Sequence, residues 1–95
     1  MKEGFSSWDV ADQLKTKEDI QLYLEACVDE DDGSGAMIRA ALSNISRSRN
    51  MGELAKQVGI SREGLYKALS ESGNPSFSLV LRLSRALGLH IKIAA

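Results

Sequence analysis

Arg62, Glu63, Tyr66 and Lys67 are the residues whose types and spacing are best suited to recognition chemistry. An arginine can bond bidentately to a guanine edge, and a lysine can reach a base or a phosphate oxygen. A glutamate can accept from a cytosine amine, and a tyrosine can press on a thymine methyl or bond a phosphate. Each has a plainer alternative. Arg62 and Lys67 can be solvated charges on an exposed helix, Tyr66 can close the core, and Glu63 can pair with Lys67 four residues on, a contact worth ~0.3–0.5 kcal/mol. Catalysis finds little to work with: one histidine, His90, one cysteine, Cys27, and no cluster of metal-ligand spacing. No activated nucleophile or acid–base pair is offered, so no enzyme, metal or cofactor is expected. The acidic run 29–32 lacks the alternating oxygen ligands and the distal glutamate of a calcium loop. It reads as a solvated edge or as a surface for a basic partner.

The element that must position the four side chains is GELAKQVGISREGLYKAL, residues 52–69. Ala55 is small where two helices would cross, and Gly59 can adopt the left-handed backbone that ends the first. Leu54, Val58, Ile60, Leu65 and Leu69 point into a shared core. Ser61 caps the second helix, with Glu63 and Gly64 in its first turn. The pattern predicts helices over about 51–58 and 61–70 with the spacing of a helix-turn-helix, whose second helix lies in the major groove and reads bases with its N-terminal residues. Gly64 costs about 1 kcal/mol relative to alanine in such a helix, a cost that close approach of the first helix or of a DNA backbone would offset.

Around this pair the apolar periodicity predicts further helices. Residues 8–14 suggest a short one opened by Ser6 or Ser7. Thr16 and Asp19 form a capping-box pattern before a helix over about 17–29, with Ile20, Tyr23, Leu24, Cys27 and Val28 as its stripe. Gly33 and Gly35 break it, and Ile38, Ala41, Leu42 and Ile45 mark the next, from Ala36. After a turn at Gly73, Asn74 and Pro75, Ser76 opens a last helix bearing Leu79, Val80, Leu83, Ala86 and Leu87, which Gly88 stops. Asn74 and Ser76 form a natural phosphate seat at that helix start, or only a turn and a cap. Leu89, Ile91 and Ile93 then alternate as in a half-buried strand. Nothing else in the chain pairs with it, so it is expected to pair with a second copy in a homodimer. The alternative is a tail packed irregularly on its own subunit.

With 95 residues, 43% of them hydrophobic, the chain fits one core, and the fold class is all-α. A lone cysteine excludes an internal disulfide, and neither a charged leader nor an apolar run near 18 residues is seen, so a cytoplasmic protein without membrane contact is expected. The net charge of -1 is unevenly spread. Residues 1–34 carry three Lys against ten Asp and Glu, a balance of -7, and residues 35–95 carry nine Lys and Arg against three Glu, a balance of +6. This divides one compact unit into an acidic N-terminal helical extension, 1–34, and a helix-turn-helix domain with a C-terminal dimerisation strand, 35–95.

Residues 36–89 resemble the phage-repressor-like helix-turn-helix domain, on the motif above, the NPSF loop and the LSRALGL ending. With FSSWDVADQLKTKEDIQLYLEACVDED before it and LHIKIA after it, nearly the whole chain is similar to the addiction-module antidote proteins of this fold, relatives of HigA-like antitoxins. The resemblance implies a dimeric repressor of its own operon that also neutralises a small basic toxin of the RelE/ParE type. The DNA-reading positions of that fold fall on Arg62, Glu63, Tyr66 and Lys67, and the full candidate DNA-binding set is these four with Ser61, Asn74 and Ser76. Leu89, Ile91 and Ile93 are the candidate dimerisation residues. Where many relatives start the first motif helix with a polar, phosphate-holding residue, this chain has Met51 and Gly52. A second function class is a helical adaptor or inhibitor that does not touch DNA.

Overall fold

The computed structural model describes residues 14–91. The helix expected over 8–14 lies outside them apart from its last residue, as does Ile93. Among the described residues the elements are five helices: α1 (Lys17–Glu30), α2 (Ala36–Arg47), α3 (Met51–Val58), α4 (Arg62–Leu69) and α5 (Phe77–Ala86). The other five helices expected from periodicity and caps are present, with ends displaced by a residue at most in the two motif helices.

Local chemistry explains where each begins. The Thr16 hydroxyl accepts from the Asp19 amide at 3.0 Å while the Asp19 carboxylate accepts from the Thr16 amide at 3.2 Å, a reciprocal capping box. α2 starts at Gly35, which has no side chain to cap it. The Asp31 carboxylate does so instead, accepting from the amides of Gly33, Gly35 and Met37 at 2.8–2.9 Å. These bonds, that of Gly35 first, hold the Asp31 carboxyl below its ordinary range, and Ser34 does the same for Asp32.

α2 is the central element, packed against α1 on one side and α3 and α4 on the other, with α5 closing over α3. Ile20 and Leu24 of α1, Leu42 and Ile45 of α2, Val58, Leu65 and Leu83 meet in one core with essentially no exposure. Each such side chain contributes ~1.5–3 kcal/mol by leaving water. α1 therefore belongs to the same packed unit as the motif helices. A polar chain ties it to α2: Arg47 donates to Asn44 at 2.8 Å, and Asn44 donates to the Tyr23 hydroxyl at 2.9 Å. Burial pushes both the Tyr23 hydroxyl and the Cys27 thiol up, so the thiol stays protonated and packs as an apolar group.

The C-terminal segment departs from expectation. No strand is formed over Leu89–Ile91. Leu89 is buried in the subunit's own core, and its amide donates to the Ser84 carbonyl at 2.8 Å, closing the end of α5. The side chain of Gln21 on α1 serves His90 as a neighbouring strand would, donating to its carbonyl at 2.9 Å and accepting from its amide at 3.1 Å. The strand reading overlooked that helix-end and side-chain partners can satisfy these backbone groups within one copy.

Candidate nucleic-acid interface

α3 and α4 are eight residues each and joined by Gly59, Ile60 and Ser61. Gly59 sits at φ 84°, and the amides of Gly59 and Ile60 both donate to the Ala55 carbonyl, at 2.9 and 3.0 Å. The left-handed residue turns the chain sharply enough for Ser61 to cap the next helix, its hydroxyl accepting from the Gly64 amide at 2.9 Å. Leu65 and Leu69 anchor α4 in the core. Arg62, Glu63, Tyr66 and Lys67 are all exposed. At 100° per residue they fall within an arc of about 140° that begins beside the buried stripe of those leucines, Arg62 next to Leu69, and runs away from it to Lys67.

Two arginines hold this pair from outside it. Arg82 of α5 donates to the Val58 carbonyl at the end of α3, and Arg39 of α2 donates to the Leu69 carbonyl at the end of α4 at 3.0 Å. Each places a cation against the negative end of a helix macrodipole and satisfies a terminal carbonyl. Each is far in sequence from the carbonyl it reaches, 24 residues for Arg82 and 30 for Arg39, and this left no signal in the sequence. Arg39 and Arg82 thus work inside the fold, leaving fewer cations for phosphates than the sequence count allowed.

Within the arc, the Arg62 guanidinium lies over the Tyr66 ring, 5.4 Å from its centre. This cation–π contact of ~0.5–1 kcal/mol orders the arginine and gives Tyr66 a surface role rather than a core one. Gly64 also has a different explanation from the one expected. A methyl group there would come within 3.0 Å of the capping Ser61 hydroxyl, so the close neighbour is the cap and not α3.

Asn74 and Ser76 are exposed near the start of α5, where the Ser76 hydroxyl accepts from the Leu79 amide at 3.0 Å. The preceding turn passes so close to α4 that a side chain on Gly73 would collide with the Lys67 and Ala68 carbonyls. Asn74 and Ser76 are therefore held near the C-terminal end of α4, whereas Ser61 and Arg62 are at its N-terminal end.

A group that sequence reasoning missed lies at the start of α3. Met51 is buried, but Asn50 before it is exposed and caps the helix, its carboxamide oxygen accepting from the Glu53 amide at 3.0 Å. Lys15, Lys17, Arg49 and Arg85 line a shallow hollow of about 590 Å3 together with Asn50. Lys15 and Lys17 come from the acidic third of the sequence, so the division of charge along the chain is not a division in space. The available signal was their position on either side of the Thr16 cap.

Chemically, the arrangement offers hydrogen-bond donors, one carboxylate and an aromatic edge on a capped helix, with a basic hollow at the start of its neighbour. Among the described residues no group of three or more His, Cys, Asp or Glu is placed to hold a metal, and no helix is long and apolar enough to cross a membrane. These features define, over the described residues, an all-helical unit whose outward chemistry suits binding. A family model described as probable addiction module antidote protein matches residues 4–95, and the chain belongs to that family. It is similar to a protein of Haemophilus influenzae described as uncharacterized, 46% identical over 93 residues that cover 98% of this chain and 94% of the relative. No solved structure matches the chain.

Proposed function

We propose that the protein is the antidote of a toxin–antitoxin module and also the DNA-binding repressor of its own operon. The observation that carries the DNA half is the Ser61-capped α4, anchored by Leu65 and Leu69 and turning Arg62, Glu63, Tyr66 and Lys67 outward. In this reading α4 is the recognition helix of a helix-turn-helix and enters the major groove. Arg62 bonds to a guanine edge, Tyr66 supports it, and Lys67 reaches a base or a phosphate. Lys15, Lys17, Arg49 and Arg85 hold the flanking phosphates, and Asn74 and Ser76 contact the backbone beyond the other end of α4.

The antidote half rests on the family and on the acidic surface of α1. Its partner is a small basic toxin of the RelE/ParE type, and Glu18, Glu25 and Asp29 are the first contacts to test. Because Ile20 and Leu24 are core residues, removing the N-terminal part would expose α2 and destroy the fold. Point changes on the outer face of α1 are the suitable probes.

The experiment is binding of the full chain to the DNA upstream of its own gene at several salt concentrations, alongside co-purification with the product of the adjacent reading frame. Affinity that falls steeply with salt supports the repressor. Capture of a small basic neighbour, lost on Glu18→Lys with Asp29→Lys, supports the antidote. No shift on any upstream fragment removes the first, and unchanged capture by the double variant removes the assignment to α1.

A further inference from the structure

An apolar groove of about 770 Å3 opens where the end of α1, the start of α2 and the start of α5 meet, on the side of the turn that follows α4. Val28, Ile38, Val80 and Leu81 supply its apolar lining, and Phe77 stands among the lining residues with 67% of its surface exposed. Among the described residues Phe77 is the most exposed of the large hydrophobics, and Leu81, one turn further along α5, is 37% exposed. Apolar surface gathered in one concave place, with an aromatic ring beside it, is the form of a docking site and calls for an apolar filler.

The charge around the groove says what must accompany that filler. Asp29 of α1 and Glu71 of the turn after α4 both line it. Asp31 and Asp32 adjoin it, their carboxylates accepting from the amides of Gly35 and Ser34, which are lining residues too. The negative end of the α1 macrodipole points the same way, because the last turn of α1 carries no basic residue. Arg39, the cation in the lining, already donates to the Leu69 carbonyl. An anionic occupant, whether a nucleic acid or an acidic membrane, is repelled by this rim, and a two-fold copy would bring the same carboxylates against it. A basic occupant is drawn in. The rim also continues an acidic face: Glu18, Glu25 and Asp29 fall within about 40° of one another around α1, so Asp29 belongs to both.

We propose that this groove is where the basic partner protein anchors: a segment of the partner sets a bulky apolar side chain against Val28, Ile38, Val80 and Leu81, under cover of Phe77, and Lys or Arg side chains flanking it meet Asp29 on one wall and Glu71 on the other. The proposal deepens the antidote reading and rests on it, since the outer face of α1 then steers the partner and the groove holds it. Apolar burial in the groove supplies the grip and sets how slowly the partner leaves. The exposed carboxylates supply approach and choice of partner, as charges at the edge of an interface do.

The test is a titration of the full chain with the purified product of the adjacent reading frame, with rates and affinity both measured. Phe77→Ala should weaken binding at least about 30-fold, mainly through faster dissociation, with helical content unchanged by circular dichroism because the ring is exposed. Leu81→Glu provides a second probe of the apolar part. Glu71→Lys should slow association by about 10-fold at low salt, and the difference should fade at high salt. Glu53→Lys makes the same change of charge on an exposed position of α3 away from the groove and should leave the affinity as it is. A benzophenone photocrosslinker in place of Phe77 should mark a partner segment in which Lys or Arg flanks a bulky apolar residue. Binding that survives both Phe77→Ala and Leu81→Glu overturns the groove and leaves the antidote reading standing, and so does a crosslink to a second copy of this chain or to an acidic segment. No binding by the wild type removes the antidote reading and the groove's assignment with it.

Discussion

α1 and α4 bury similar leucine-bearing stripes against α2 but turn opposite chemistry to solvent. α1 shows Glu18, Glu25 and Asp29 around Leu22, which is 59% exposed, and α4 shows two cations, Arg62 and Lys67, with Tyr66 and a single carboxylate, Glu63. Leu24 and Leu65, one from each, are equally inaccessible. The contrast separates what holds the protein together from what it presents. Core position does not distinguish the two helices, so their roles must be sought on the outer faces.

The largest expected effect tests the shared half of that comparison. Leu24→Ala and Leu65→Ala should each cost ~2–5 kcal/mol in chemical denaturation, because each leaves a cavity in the same core. A cost below about 1 kcal/mol for Leu24→Ala would make α1 an appendage and break the equivalence. The unlike half is sharpened by Arg62→Ala, expected to cost ~1–3 kcal/mol of DNA affinity and relax base preference. The same change should cost no more than ~1 kcal/mol of folding stability, the worth of its contact with Tyr66.

Caps give a smaller effect common to both helices. Thr16→Ala on α1 and Ser61→Ala on α4 should each cost about 1 kcal/mol, read as a lowered thermal midpoint. Acid should act on the link after α1 and not on the turn before α4. Asp31 has its folded pKa depressed by backbone amides, so its contribution is present above the unfolded value of about 3.9 and is lost as pH falls from there through the lower folded value. Thermal midpoints of wild type and Asp31→Asn should differ at neutral pH and converge below that window. A constant difference down to the most acid condition would show that Asp31 does not cap α2.

Much of this architecture was legible because its causes are local. The Thr16–Asp19 box, Ser61, Ser76, Gly59 and the three-and-four spacing of apolar residues fix helix starts, stops and buried faces within a few residues of chain. What escaped notice depends on distant residues. In the sequence Arg39 and Arg82 are two among the nine Lys and Arg of residues 35–95, and only the folded chain brings them to the carbonyls of Leu69 and Val58. Gln21 gave no sign that its amide would meet His90, 69 residues away, and without that contact an apolar alternation reads as a strand awaiting a partner. The four-residue arc on α4 was visible from spacing alone, whereas the hollow of Lys15, Lys17, Arg49 and Arg85 joins both ends of the described chain and required coordinates.

The central claim is that α4 is a DNA-reading surface, and a salt titration of binding to the protein's own upstream region tests it most directly. With wild type, Arg62→Ala and the Arg49→Ala, Arg85→Ala pair measured on matched and scrambled fragments, the arginine on α4 should set sequence preference. The pair in the hollow should weaken both fragments alike and reduce the slope of log affinity against log salt by about two. Equal affinity of wild type for matched and scrambled DNA, unaltered by Arg62→Ala, would contradict the account.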